Sequence, residues 1–428
     1  MIFLGGRIMS FTKNMITFIC SVILCSFFFV TLKASASTIF YVAQTGNNAE
    51  AGSYEAPWRT IQHAINQVTP GDTIYVREGI YEELINIDKI GNIEQGLITI
   101  QPYKNEKVVI DGQNVEVTNS NRAAFSIKDA QGISIQGFEI RNITTNNEDH
   151  YPAGVLIRGA SKHIELLNNN IHHIANYAEE GNAHGIIVYG NRSEAIHHIT
   201  IRKNEVHHLT LGSSESLTFS GNITDFIIDH NFMHNNNNIG IDIASYYNAC
   251  EEVDCIDFSR KGIISNNVVI KNSSAQNIAY GGDNSAAGIY IDGSKDIEII
   301  NNLVSGNDYG ISISSENYQQ AAMNITVRNN FIMNNHKAGL VIGGSSKDNG
   351  GAHNNLIEEN LFISNDRLNE GYREISVQYH NVNNTFKDNT YYVCSTKDYI
   401  NESKDAYPQN HFKNETVKVL HKFCPIEN

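Results

Sequence analysis

GIYIDGSKDIEIINNLVSGN, residues 288–307, holds one complete repeat of this chain. Gly288 opens a short alternating run through Ile289 and Ile291, a turn follows, and a second alternating run, Ile297–Asn302, ends in asparagine. Aliphatic residues come next, with another asparagine, Asn307, five positions after the first. The pattern recurs. Asn170, Asn204, Asn231, Asn267, Asn302, Asn330, Asn360 and Asn389 form one file, spaced by 27 to 36 residues, and Asn236, Asn272, Asn307, Asn335 and Asn365 form a second. A period in this range decides the architecture before any local reading. Period-two strands joined by turns, repeated with no helix between them, describe a β-solenoid. An asparagine buried at one corner of every coil bonds to the coils above and below, so its amide is satisfied.

The Gly-aliphatic-x-aliphatic motif aligns the coils at Gly154, Gly185, Gly240, Gly288, Gly310 and Gly339, and about ten coils fit between Asp72 and Val393. Residues 1–36 read as a signal peptide: Arg7 and Lys13, an apolar run from Met15 to Leu32, then Ala34-Ser35-Ala36 as a small-residue cleavage site. Residues 37–71 give a strand and a capping helix around Trp58–Val68, stopped by Pro70-Gly71. Residues 394–428 lose the repeat and read as a cap or tail. Cys250, Cys255, Cys394 and Cys424 remain after cleavage, and local pairing (250 with 255, 394 with 424) is the economical expectation for an exported chain. The expected product is a secreted, periplasmic or cell-surface monomer, off the membrane once the signal is removed.

The formal charge is −15, or −18 once Arg7, Lys13 and Lys33 leave. That acidity argues against binding nucleic acid. It would also repel an acidic polysaccharide unless a cation or a local basic cluster intervened.

Phe40-Tyr41-Val42, Pro57-Trp58-Arg59-Thr60-Ile61 and Pro70-Gly71-Asp72-Thr73-Ile74-Tyr75-Val76 resemble the opening of secreted right-handed parallel β-helix proteins. Pectate lyases of polysaccharide lyase family nine and chondroitinase-B-like proteins share it. The resemblance implies an all-β, single-stranded right-handed parallel β-helix with an N-terminal helical cap, and a polysaccharide as substrate or ligand.

On such a body the outward side chains form files about 4.8 Å apart per coil. One file runs Ser126, Leu156, Ile187, Thr218, Asp242, Tyr290, Ser312; the next runs Lys128, Arg158, Tyr189, Ser220, Ala244, Asp292, Ser314. Asp242 and Asp292 fall in adjacent coils, close enough to share a hard cation such as calcium. Two long insertions flank them, Tyr246–Ser259 with Asp257 and Ser273–Ala286 with Tyr280. Long loops on a repetitive body are where function concentrates. Arg260 and Lys261 form an adjacent basic pair just after the first insertion.

The resemblance implies a calcium ion held by aspartates and a lysine as base, which carries over as Asp242, Asp257 and Asp292 for the metal and Lys261, beside Arg260, for the base. The chain departs from that family in having no dense aspartate cluster on consecutive turns. His184 is a separate acid–base candidate. Arg158 and Tyr189 suit a carboxylated sugar, because a guanidinium forks onto carboxylates, and Tyr290 adds a binding surface. His173, His207 and His234, each three residues after a file asparagine, are expected to stack. The function expected is a lyase or epimerase acting on a uronate-containing polysaccharide by metal-assisted proton abstraction. Hydrolysis by paired carboxylates and a non-catalytic glycan-binding or structural role are the alternatives.

Overall fold

The computed structural model describes residues 37–420 apart from 90, 92, 121, 251, 395–398 and 403–409. The expected signal peptide and the Cys394–Cys424 pairing therefore fall wholly or partly outside the described residues. The rest is a right-handed parallel β-helix. Each coil contributes one strand to each of three parallel sheets, called here sheets 1, 2 and 3 in chain order around a coil. Sheet 1 has 11 strands, from Ile85–Ile87 to Ile400–Glu402, and carries the glycine motif. Sheet 2 runs from Ile39–Val42 to His411–Lys413, and sheet 3 has 12 strands, from Gly79–Tyr81 to Thr416–Val419. Ten of the sheet 1 strands lie between Asp72 and Val393, in keeping with about ten coils there, and the described coils continue beyond. The last of them uses Ile400–Glu402, His411–Lys413 and Thr416–Val419, so the pairing continues past Val393. Its strands are short and Glu415 stands where an asparagine would, which hides the repeat from a sequence pattern.

The register is set at the corner between sheets 2 and 3. Asn169, Asn204, Asn231, Asn267, Asn302, Asn330, Asn360 and Asn389 stack there, each Nδ2 donating to the next Oδ1, as from Asn267 to Asn302 at 3.0 Å. The first member is Asn169, not Asn170: the chain has three asparagines in a row, and Asn170 faces outward beside Glu205. The residue just before each ladder asparagine (Asn266, Asn301 and Asn329 among them) has φ between 55 and 58°. Asparagine tolerates that left-handed backbone better than most side chains. The Asn-Asn doublets thus encode a corner, the first making the turn and the second the buried rung.

A ladder of amides must end on an acceptor. Asn389 donates to Glu415, and the second ladder (Asn236, Asn272, Asn307, Asn335, Asn365) ends on the buried carboxyl of Glu374. Inside, aliphatic side chains such as Ile241, Ile289 and Ile311 stack with no exposure, each burial contributing about 1.5–3 kcal/mol. The N-terminal end is closed by the helix Ile61–Gln67, capped by Thr60 and held at its start by the Glu83 carboxylate accepting from Ile61 N and Gln62 N. Trp58 stacks on Phe40 beside it.

Candidate functional site on the outward face of sheet 1

The two expected files do lie on the outward face of sheet 1: Thr218 pairs with Asp242, Asp242 with Tyr290, and Arg158 with Tyr189. Unusually for a surface, polar groups here are buried. Asp242 and Asp292 are 5% and 1% exposed. Asp292 accepts from Glu316 N at 2.8 Å and from the Tyr247 hydroxyl, which also reaches Glu316 Oε2 at 3.0 Å. Glu215, in the turn before Leu217, accepts from Thr218 Oγ1 at 2.9 Å. Asp242 Oδ1 is buried with no hydrogen-bond partner.

Among the described residues no lysine or arginine is ion-paired to Glu215, Asp242, Asp292 or Glu316. Burial, then the charge of Glu316, pushes the Asp292 carboxyl up to about 7. Burial also raises Glu215 to about 7, and it lifts Asp242 well above the usual range with help from Glu215 and Asp292. Beside this cluster a groove of about 430 Å³ is lined by Tyr280, Tyr290, Tyr309, Ser312, Ser314 and Glu316.

Lower on the same face the charge reverses. The Arg158 Nε is buried with no partner. Arg122 lies near it and over the Tyr151 ring, and burial followed by the Arg158 charge lowers its pKa. His184 is 9% exposed; its Nδ1 lies 3.0 Å from Thr218 Oγ1, the hydroxyl that donates to Glu215. Since that hydroxyl proton goes to Glu215, His184 must carry its own proton on Nδ1. Burial holds the imidazole down at about 4, so it is neutral near pH 7 with its lone pair on Nε2.

Residues 40–355 match the family described as Pel9A-like, right handed beta helix region. This chain belongs to that family. It is 35% identical over 349 residues to the uncharacterized protein YwoF of Bacillus subtilis, covering 82% of this chain and 73% of that one. It is 30% identical over 169 residues to the pectate lyase PEL9 of Emericella nidulans, covering 36% and 39%. Among solved structures, the GH136 lacto-N-biosidase from Eubacterium ramulus superposes with a TM-score of 0.65 at 12% identity over 90% of this chain and 68% of that one, a likeness of fold alone.

On this Pel9A-like body the residues singled out from sequence divide. Asp242, Asp292, Tyr290, Arg158, Tyr189 and His184 share sheet 1. Lys261 and Arg260 do not: both belong to the sheet 2 strand Arg260–Ser265, one side of the coil away. Lys261 has φ 55° and faces a groove there, while Arg260 donates to Asn222 Oδ1 and Phe258 O. Asp257 is also elsewhere, its carboxylate pinning the insertion by accepting from Asn248 N and Ala249 N. The Cys250–Cys255 disulfide and Glu252, bonded to Ser193, fix the same loop.

The ring stack on sheet 3 contains His172, not His173, with His207 and His234, at 5.0 and 4.8 Å between centroids. The reason is the one-residue shift at Asn169. Glu215, Glu316, Tyr247 and Arg122 were not legible as site residues because each sits in a turn or loop beyond the aligned strands. Glu215, Asp242, Asp292 and Glu316 are hard oxygen donors with one orphaned buried atom and no basic partner, but no three of them bring carboxylate oxygens within 4.8 Å of one another, so they do not form a ready-made site for a cation such as calcium.

Proposed function

We propose that this chain is an exported enzyme that binds a uronate-containing polysaccharide along the outward face of sheet 1 and removes the proton α to a sugar carboxylate. The observation that carries the reading is the pair of orphaned buried groups on one face, Arg158 Nε and Asp242 Oδ1, in a chain of net charge −15. Buried charge without a partner is costly, and a ligand bearing carboxylates supplies what Arg122 and Arg158 lack.

Arg122 and Arg158 hold the sugar carboxylate and draw electron density from C5, which acidifies its proton. His184 accepts that proton on Nε2. Its Nδ1–H stays fixed on Thr218, and Glu215 at the end of the chain stabilises the imidazolium that forms. Breaking the C4–O bond then gives a C4–C5 double bond and a leaving oxygen that takes a proton from solvent; delivery of a solvent proton to the face of C5 opposite His184 gives epimerisation instead. Were Asp242, Asp292, Glu215 and Glu316 to close around a calcium ion, the ion would supply positive charge for a further carboxylate of the same polysaccharide. Tyr189 and Tyr290 offer flat surfaces for the sugar rings.

One observation favours a second reading, hydrolysis of a glycosidic bond. Asp292 and Glu215 titrate near 7, as a general acid beside a second carboxylate would.

The test is incubation with pectate, alginate and glycosaminoglycans, with calcium and with a chelator. An ultraviolet-absorbing unsaturated product supports the lyase, and exchange of solvent deuterium into C5 without cleavage supports the epimerase. New reducing ends without absorbance move the assignment to hydrolysis. Binding with none of these products leaves a glycan-binding protein.

A further inference from the structure

A groove of about 600 Å³ lies not on sheet 1 but on the outward face of sheet 2, bordered by Glu165, Thr200, Asp225 and Lys261 together with His163 and His198. Three imidazoles converge at its edge. Each coil of sheet 2 places one left-handed residue within or at the start of its strand, and His163 and His198, at φ 55 and 56°, hold that position in adjacent coils. A left-handed residue breaks the alternation of a strand. His197 and His198 therefore project to the same side, although in a regular strand neighbours point to opposite faces.

The ring centroids of His163 and His198 are 4.4 Å apart, those of His197 and His198 4.8 Å, and those of His163 and His197 5.6 Å. One nitrogen from each ring lies within 4.8 Å of the other two. Rings near 80° to one another, as for His163 with His197, aim their in-plane lone pairs at a common point more readily than the parallel stack on sheet 3.

Neutral imidazole nitrogens select a different ion from carboxylate oxygens. They suit zinc, nickel and copper, whereas oxygen sets suit calcium and magnesium. We propose that His163, His197 and His198 bind one transition-metal ion of the zinc, nickel or copper class, with its remaining coordination positions open to the sheet 2 groove. Asp225 and Glu194 lie near His197, as does Lys162, whose ammonium is ion-paired to Glu194. This site is independent of the carboxylate cluster on sheet 1.

The experiment is equilibrium dialysis of the full chain against zinc in excess calcium, which competes for carboxylate oxygens. Asparagine occupies the same left-handed position at Asn324, Asn354 and Asn383, so a His163→Asn/His198→Asn double variant keeps the backbone. Its melting temperature in chelator should match that of the parent. The parent should take up one tight zinc equivalent, and the double variant should bind it at least about tenfold more weakly. A His207→Ala/His234→Ala variant on sheet 3 should retain it. With copper, nitrogen hyperfine structure in the electron paramagnetic resonance spectrum should disappear in the first variant only. The proposal fails if the parent takes up no zinc, if the first variant keeps the equivalent, or if the sheet 3 variant loses it instead.

Discussion

Asp229 on sheet 2 and Asp292 on sheet 1 are both buried aspartates at the end of a strand, and their environments are opposite. Asp229 accepts from Arg202, His230, Ser265 and Asn266. Burial pushes its pKa up, but the donors Asn266, His230 and Ser265 outweigh this and leave it at about 2. Asp292 has the Tyr247 and Ser315 hydroxyls and one backbone N–H for donors, one of them shared with Glu316, and Glu316 for a neighbour, and it is pushed up to about 7. Burial alone therefore marks nothing. A carboxylate whose acceptors are filled is architecture, and one left short of donors beside like charges is a candidate for function.

The largest effect expected from breaking this contrast is on turnover. Asp242→Asn with Asp292→Asn should lower kcat/KM by about 10² or more, the loss of a binding interaction with the polysaccharide that the reaction draws on, while leaving the melting temperature unchanged or higher because like charges have gone. A fall in stability with activity intact would place the cluster with the architecture. His184→Gln should cost a similar factor, on the scale of a lost general base.

Asp229→Asn should do the reverse, destabilising the fold by about 1–3 kcal/mol, the cost of unbalancing a buried hydrogen-bonded network, with kcat unchanged; denaturant unfolding and a turnover assay read both.

The pH dependence follows from the two signs. Asp292 and Glu215 have folded pKa values near 7, above the ordinary carboxylate values of 3.8 and 4.5, so between those limits the folded state holds more protons than the unfolded one. Stability from this cluster therefore falls as pH rises toward 7, and calcium should restore it. Glu374, also near 7, contributes the same sign, so the cluster's share is the part that disappears in the Asp242→Asn/Asp292→Asn variant. Asp229 is depressed, and its contribution is lost only as pH falls from 3.8 toward 2. Thermal melts across pH, with and without calcium, separate the two. The smallest effect should come from Lys261→Ala, which removes a side chain on the sheet 2 groove and should leave kcat within about twofold, as for a surface change remote from chemistry; a large loss would move the site to sheet 2.

Most of the fold was legible in the sequence. From Asn169 to Asn389 one asparagine per coil, preceded by a residue suited to a left-handed corner, sets the register, and Gly288-Ile289-Tyr290-Ile291 and its equivalents place the sheet 1 strands. The misreadings came where the corner signal is doubled or missing: three consecutive asparagines moved the ladder from Asn169 to Asn170, and Glu415 concealed the last coil. The file of Asp242, Tyr290 and Asp292 could be read because strand residues at matching positions must stack. Glu215, Glu316, Tyr247 and Arg122 could not, since turns differ in length from coil to coil and carry no common register. Lys261 was misplaced because nearness in sequence to Asp257 and Asp242 means little where each coil turns through three sheets.

By itself, then, the sequence determined the solenoid, its cap and the two outward files, because those depend on local backbone preference and a repeated side-chain bond. The tertiary structure decided which polar groups were left unsatisfied. That depends on how loops of unequal length fold over the files, bringing Tyr247 to Asp292 and Glu316, and leaving Asp242 Oδ1 and Arg158 Nε buried without partners.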